Sequence, residues 1–148
     1  MNLLSRRSVL AIAAVVDVAL HSRSAPVAAR YLAARHKLPP RHLEVLLHGL
    51  VNAKILKGVR GPRGGYELAR ERQRIPVGEI VRAAMSLSTA DPEDLGAHSV
   101  LLERVIDPAV RRTGETFLAN LDSITVEQMC ETAEKSHVLE TVTGDFAI

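Results

Sequence analysis

Arg60 and Arg63 are the side chains whose setting most directly suggests chemistry. They lie in the run Leu56-Lys57-Gly58-Val59-Arg60-Gly61-Pro62-Arg63-Gly64-Gly65-Tyr66-Glu67-Leu68. Two short strand-like runs, residues 55–59 and 66–69, flank a tip of Gly, Pro and Arg. Gly61, Pro62, Gly64 and Gly65 turn the chain and let its backbone approach a surface closely. Two permanent cations on such a tip suit a DNA groove, where phosphates and the negative potential of a narrow minor groove attract arginine. A plain solvated hairpin has the same ingredients, so the preceding elements decide.

Those elements read as three helices. The first is expected over residues 8–21, with Val9, Ile12, Ala13, Val16, Ala19 and Leu20 at the i, i+3, i+4, i+7 spacing of a packed face. A polar turn over residues 22–26 leads to a second helix, 27–36, with Ala28, Tyr31, Leu32 and the Arg35 stem inward. Lys37 and Leu38 make a tight turn. Pro39 and Pro40 open the third helix, because proline in the first turn gives up an N–H that has no partner there. That helix has Leu43, Leu46, Leu47, Leu50 and Val51 on one face and Arg41, His42, Glu44, His48 and Asn52 on the other. Two helices joined by a short turn and followed by a basic hairpin form the pattern of a winged helix-turn-helix.

Composition agrees. Hydrophobic residues make up 47% and aromatics only 3% of 148 residues, so the core must be Leu, Val, Ile and Ala, a mixture that leans helical. A single Cys excludes an internal disulfide and is compatible with a reducing cytoplasm. The net charge of +2 hides a division. Residues 1–75 carry fourteen Lys/Arg against four Asp/Glu, whereas residues 76–148 carry five against thirteen. The first half is suited to a polyanion and the second is not.

The N-terminus imitates a twin-arginine export signal, with Ser5-Arg6-Arg7-Ser8-Val9-Leu10 before an apolar run and Ala25-Pro26-Val27-Ala28-Ala29 as a would-be cleavage region. Asp17 interrupts that run, and its helical spacing is that of a core element. The run is also too short and too interrupted to span a membrane. A cytoplasmic protein is expected.

The second half is expected to hold a fourth helix over residues 76–85, a polar linker over 86–98, and helices over 99–135, followed by a tail from 136 to 148. Residues 1–85 would form the DNA-binding unit and 99–135 a dimerisation unit. Asp107-Pro108 reads as an N-cap with proline after it. Whether residues 99–121 form one kinked helix or two stays open. Val110, Thr113, Phe117 and Leu121 make a helical stripe suited to dimerisation, since small DNA-binding domains commonly act as symmetric dimers on palindromes. Thr125-Val126-Glu127-Gln128 is a capping box opening a last helix whose apolar side includes Val126, Met129, Cys130 and Ala133.

The arrangement resembles the IscR/NsrR/CymR (Rrf-two) family of winged-helix transcription regulators over roughly residues 4–133. The residues that carry the resemblance are Asp17-Val18-Ala19-Leu20, Leu43-Glu44, Val59-Arg60-Gly61-Pro62 with Gly64-Gly65-Tyr66, Val77-Gly78-Glu79-Ile80, and Leu121-Asp122-Ser123-Ile124-Thr125. The resemblance implies a mostly α fold with a small β-hairpin, a winged helix-turn-helix with a C-terminal dimerisation helix. It implies a homodimer on a pseudo-palindromic operator in double-stranded DNA, acting as a repressor or an activator. By position, Arg41, His42, Glu44 and His48 would face base edges or phosphates in the major groove. Arg60, Gly61, Pro62 and Arg63 would read the minor groove. Gly65 and Tyr66 would shape the wing.

Two departures follow. Many members hold an iron–sulfur cluster with three Cys between the fourth and fifth helices, and residues 86–98 contain none. Cys130, on an apolar helix face, is expected to be a buried small hydrophobe. The six His lack metal-ligand spacing. Pro39 stands where Ser or Thr could have capped the third helix and touched a phosphate. No cofactor and no metal are therefore expected. The signal would be a small-molecule or protein effector, or a thiol change. An enzyme is not expected, since no nucleophile–base pair appears and Gly58-x-x-Gly61-x-x-Gly64 lies in a hairpin rather than between strand and helix. The remaining reading is a winged-helix protein-interaction module whose acidic half binds a partner enzyme.

Overall fold

The computed structural model describes residues 3–87 and 98–136. Most of the expected 86–98 linker and the tail beyond Ser136 lie outside the described residues. The elements run α1 (Arg6–His21), α2 (Ala29–His36), α3 (Pro40–Asn52), β1 (Leu56–Val59), β2 (Gly65–Leu68), α4 (Val77–Met85), α5 (Asp107–Asp122) and α6 (Val126–Lys135). β1 and β2 pair antiparallel, Leu56 against Leu68 and Val59 against Gly65.

The core gathers Ala11, Val15 and Val18 from α1, Leu32 from α2, Leu43, Leu47 and Leu50 from α3, Ile55 and Leu56 at the hairpin base, and Ile80 and Ala84 from α4. It is aliphatic throughout, as the shortage of aromatics requires. Val126 and Cys130 of α6 belong to the same core, and the last helix packs on α1.

α1 begins where Ser5 accepts a hydrogen bond from the Ser8 N–H, an ordinary N-cap. Its buried apolar residues are Ala11, Ala14, Val15, Val18 and Ala19. The expected stripe of Val9, Ile12, Ala13 and Val16 is instead half-buried, lining a groove shared with Ile124, Met129 and Ala133. With few polar residues after Arg7, α1 has no polar face to break the tie between two apolar ones. α2 also differs: Leu32 and Ala33 are buried, while Tyr31 is exposed with the Arg30 guanidinium over its ring. The short helix turns its 32/33 edge inward.

Asp17, only 5% exposed, fastens α2 to α1. Its Oδ2 lies 3.0 Å from Arg35 Nε and 2.8 Å from His36 Nε2, and its Oδ1 lies 2.9 Å from His21 Nδ1. The Arg35 guanidinium and the His36 hydrogen bond make a buried carboxylate tolerable here. Among the described residues Oδ1 receives no hydrogen bond, and His21 Nδ1 also bonds the Asp17 backbone carbonyl. The charge that argued against an export signal is thus a tie between helices. Lys37, in the left-handed region at φ 52, ends α2, and the Leu38 N–H donates to the Ala33 carbonyl. Pro39 caps α3 without a side-chain bond, and Pro40 sits in its first turn.

Asp107 is not an N-cap. Ile106 and Asp107 both have helical dihedrals, and residues Leu102–Ile106 form a π-helical turn that runs straight into α5. The Asp107 N–H reaches back to the Leu102 carbonyl. Residues 100–122 are therefore one continuous helix with a π-bulge before Pro108, a site where the missing proline N–H already breaks the regular ladder. The capping box is present: Thr125 accepts from the Gln128 N–H, and Gln128 accepts from the Thr125 N–H.

Arg82 of α4 holds Asp122 at the end of α5 with two parallel bonds, 2.7 and 2.8 Å. Gly78 faces the same carboxylate so closely that a Cβ there would collide with it. Hydrogen bonding to the Arg82 guanidinium holds the Asp122 carboxyl below its ordinary range. Gly78 and Asp122, forty-four positions apart, are one contact.

Candidate nucleic-acid interface

α3 sorts its side chains by periodicity. Leu43, Leu46, Leu47, Gly49 and Leu50 are buried, and Arg41, His42, Glu44 and His48 are exposed. Val45, 56% exposed, is the one residue of the outer face that sequence reasoning passed over. It shares a stripe with Arg41, His48 and Asn52 (i, i+4, i+7, i+11), whereas His42 and Glu44 flank that stripe. The sequence pattern assigned it to neither face; its spacing from Arg41 was the available signal. An apolar side chain centred on a polar face offers contact to a thymine methyl, as Arg offers donors to guanine and Glu an acceptor to cytosine.

The wing follows after a three-residue turn. Arg60, Gly61, Pro62 and Arg63 are all exposed at its tip. Gly61 takes φ +115, a conformation that a side chain disfavours, and the Gly64 N–H closes the turn on the Gly61 carbonyl. Gly65 lies against the Val27 backbone, where a Cβ would collide. There Val27 and Tyr66 exchange both backbone hydrogen bonds, 2.9 and 2.8 Å, anchoring the wing to the loop before α2. Gly65 and Tyr66 therefore shape the wing.

α5 exposes its stripe unevenly. Val110 is 65% exposed and Thr113 is exposed, while Phe117 and Leu121 are half-buried. Val105 and Ile106, also exposed, extend the stripe upstream through the π-bulge. The sequence stripe starts only after Asp107-Pro108, whose composition resembles a helix start, so these two residues fall outside it.

Cys130 is fully buried in α6, and burial pushes its thiol above the ordinary range against the pull of Arg72. Among the described residues no three His, Cys, Asp or Glu converge on a possible metal position. No described helix is long and apolar enough to cross a membrane.

A helix-turn-helix whose second helix shows a polar face to solvent, followed by a glycine-rich basic hairpin, defines a winged helix-turn-helix protein. Residues 4–132 match the family described as Rrf2: Iron-dependent Transcriptional regulator. The chain belongs to this family of helix-turn-helix transcriptional regulators. It is 32% identical over 127 residues to slr0846 of Synechocystis sp., which carries a helix-turn-helix regulator name; the match covers 85% of this chain and 86% of that protein. The IscR of Vibrio atlanticus is 40% identical over 73 residues, 49% of this chain and 42% of that protein. Among solved structures, IscR from T. potens superposes with a TM-score of 0.69 at 31% identity, covering 90% of this chain and 89% of that one. CymR, the global cysteine regulator of B. subtilis, gives 0.64 at 25% identity over 89% and 98%.

The family description speaks of iron. The donor set here does not fit an iron–sulfur cluster, which is held by several thiolates, because the chain has a single thiol and that one is buried in the core.

Proposed function

We propose that this chain is a homodimeric repressor that binds a pseudo-palindromic operator and works without an iron–sulfur cluster. The observation that carries the reading is the pairing of a polar α3 face with a cationic wing tip, both exposed. Among the described residues Arg41, Arg60 and Arg63 have no carboxylate partner. Arg41, His42, Glu44 and His48, joined by Val45, would meet the major groove; Arg60, Gly61, Pro62 and Arg63 would meet the minor groove. Val110, Thr113, Phe117 and Leu121, extended by Val105 and Ile106, would pair two copies in the cytoplasm. A small molecule or partner protein would supply the signal.

Selection of genomic fragments by the purified protein tests this. A shared palindrome among the retained fragments is the expected result. No enrichment by a folded, dimeric preparation would overturn it and favour the protein-interaction reading.

A further inference from the structure

The pair Arg6-Arg7 belongs to no function assigned above. Both side chains are exposed in the first turn of α1, which contains no acidic residue. Among the described residues neither guanidinium has a partner. Two cations at the positive end of a helix dipole oppose the usual preference, which places carboxylates there. They are not part of the core, and Ser5 already caps the helix. What they do border is α3. A cavity of about 280 Å³ opens between the two helices, with Arg6, Arg7 and His42 as its polar groups and Leu10, Leu38 and Leu46 among its apolar lining. Val45 of the exposed α3 stripe also lines it.

We infer that Arg6, Arg7 and His42 form an anion seat filled by a backbone phosphate of the duplex that α3 enters. The inference rests on the DNA-binding reading above. His42 then acts at the flank of α3 as a phosphate contact, which suits its place beside, and not on, the stripe of Arg41, Val45 and His48. Such a seat reads no sequence. It fixes the angle at which α3 lies in the groove, since backbone contacts position a protein and base contacts specify the site. It also resolves the charge conflict at the start of α1, because a bound phosphate restores the negative charge that this helix end lacks.

The test compares the full-length protein with its R6Q/R7Q variant on a selected operator and on an unrelated duplex across a salt series. Each phosphate contact contributes about 0.9 to the slope of log affinity against log salt. The variant is expected to flatten that slope by roughly 1 to 2, for one or two lost contacts. Its affinity should fall in parallel on both duplexes, with base preference and melting temperature retained. R6K/R7K should restore most of the slope. An unchanged slope would overturn the seat, as would a loss confined to the operator, which would make these residues base readers. A titration with inorganic phosphate alone, followed at the His42 ring by NMR, should give no saturable shift at millimolar concentration. Saturable binding together with an unchanged salt slope would reassign the cavity to a free anion. Failure of the unmodified protein to bind any duplex would strike the DNA-binding reading itself, before any variant is compared.

Discussion

α3 and α5 are both amphipathic helices of similar length, yet α3 buries five residues and α5 fully buries none. The apolar side of α3 is satisfied inside its own chain, so what it shows to solvent is polar apart from Val45. α5 touches α4, and together with the π-helical turn that precedes it leaves Val105, Ile106 and Val110 in water. A polar outer face is available to a polyanion. An apolar outer face loses free energy in water, roughly 25 cal/mol for each Å² exposed, until another protein surface covers it. The difference between the helices is thus a difference in what each is built to meet.

The largest effect expected is on folding. Leu47→Ala should cost about 2–5 kcal/mol by chemical denaturation, as for other large-to-small changes at fully buried leucines. An equal loss from Val110→Ala would erase the contrast between the helices. Val110→Asp should instead change folding of the single chain by no more than about 0.5 kcal/mol. Its self-association should weaken by about 2 kcal/mol or more in sedimentation equilibrium. Val110 is a cleaner probe than Phe117, whose half-buried ring also contributes to its own chain. Arg60→Ala should weaken operator binding by about 1–3 kcal/mol without touching the dimer. Unchanged affinity would remove the wing from the interface.

The smallest effect concerns the latch between α4 and α5. The folded-state pKa of Asp122 lies below its unfolded value, so the contribution of its pair with Arg82 is present above the unfolded carboxylate range. It disappears as pH falls through the folded value. Both partners are substantially solvated, so less than about 1 kcal/mol is involved. Arg82→Gln should flatten that part of the acid limb of a stability–pH profile and leave neutral-pH DNA binding intact. An identical acid limb would show that the latch is stabilised by packing at Gly78 alone.

Much of the fold was legible because its signals are local. The α3 leucines repeat at helical spacing, glycines and a proline mark the wing, and Thr125 and Gln128 bracket the last helix start. Errors fell where local signals were degenerate or the deciding partner was distant in sequence. α1 has apolar residues almost all round, so periodicity selected its groove face over its buried face. Tyr31 looked like core by type, but a short helix rotated it outward. Asp107-Pro108 has the composition of a helix start, yet a π-bulge carries the preceding helix through it.

The candidate site divides in the same way. Exposure of Arg41, His42, Glu44, His48 and the wing tip follows from the residue pattern, because a helix with one leucine face must present the other to solvent, and a glycine-rich hairpin tip cannot be buried. Only the tertiary structure brought Asp17 to Arg35 and His36, seated Gly78 on Asp122, and set Arg6 and Arg7 beside His42. Hydrophobic spacing encodes which face of an element turns inward. Which elements then become neighbours is decided by close packing of the assembled core, and no single segment contains that information.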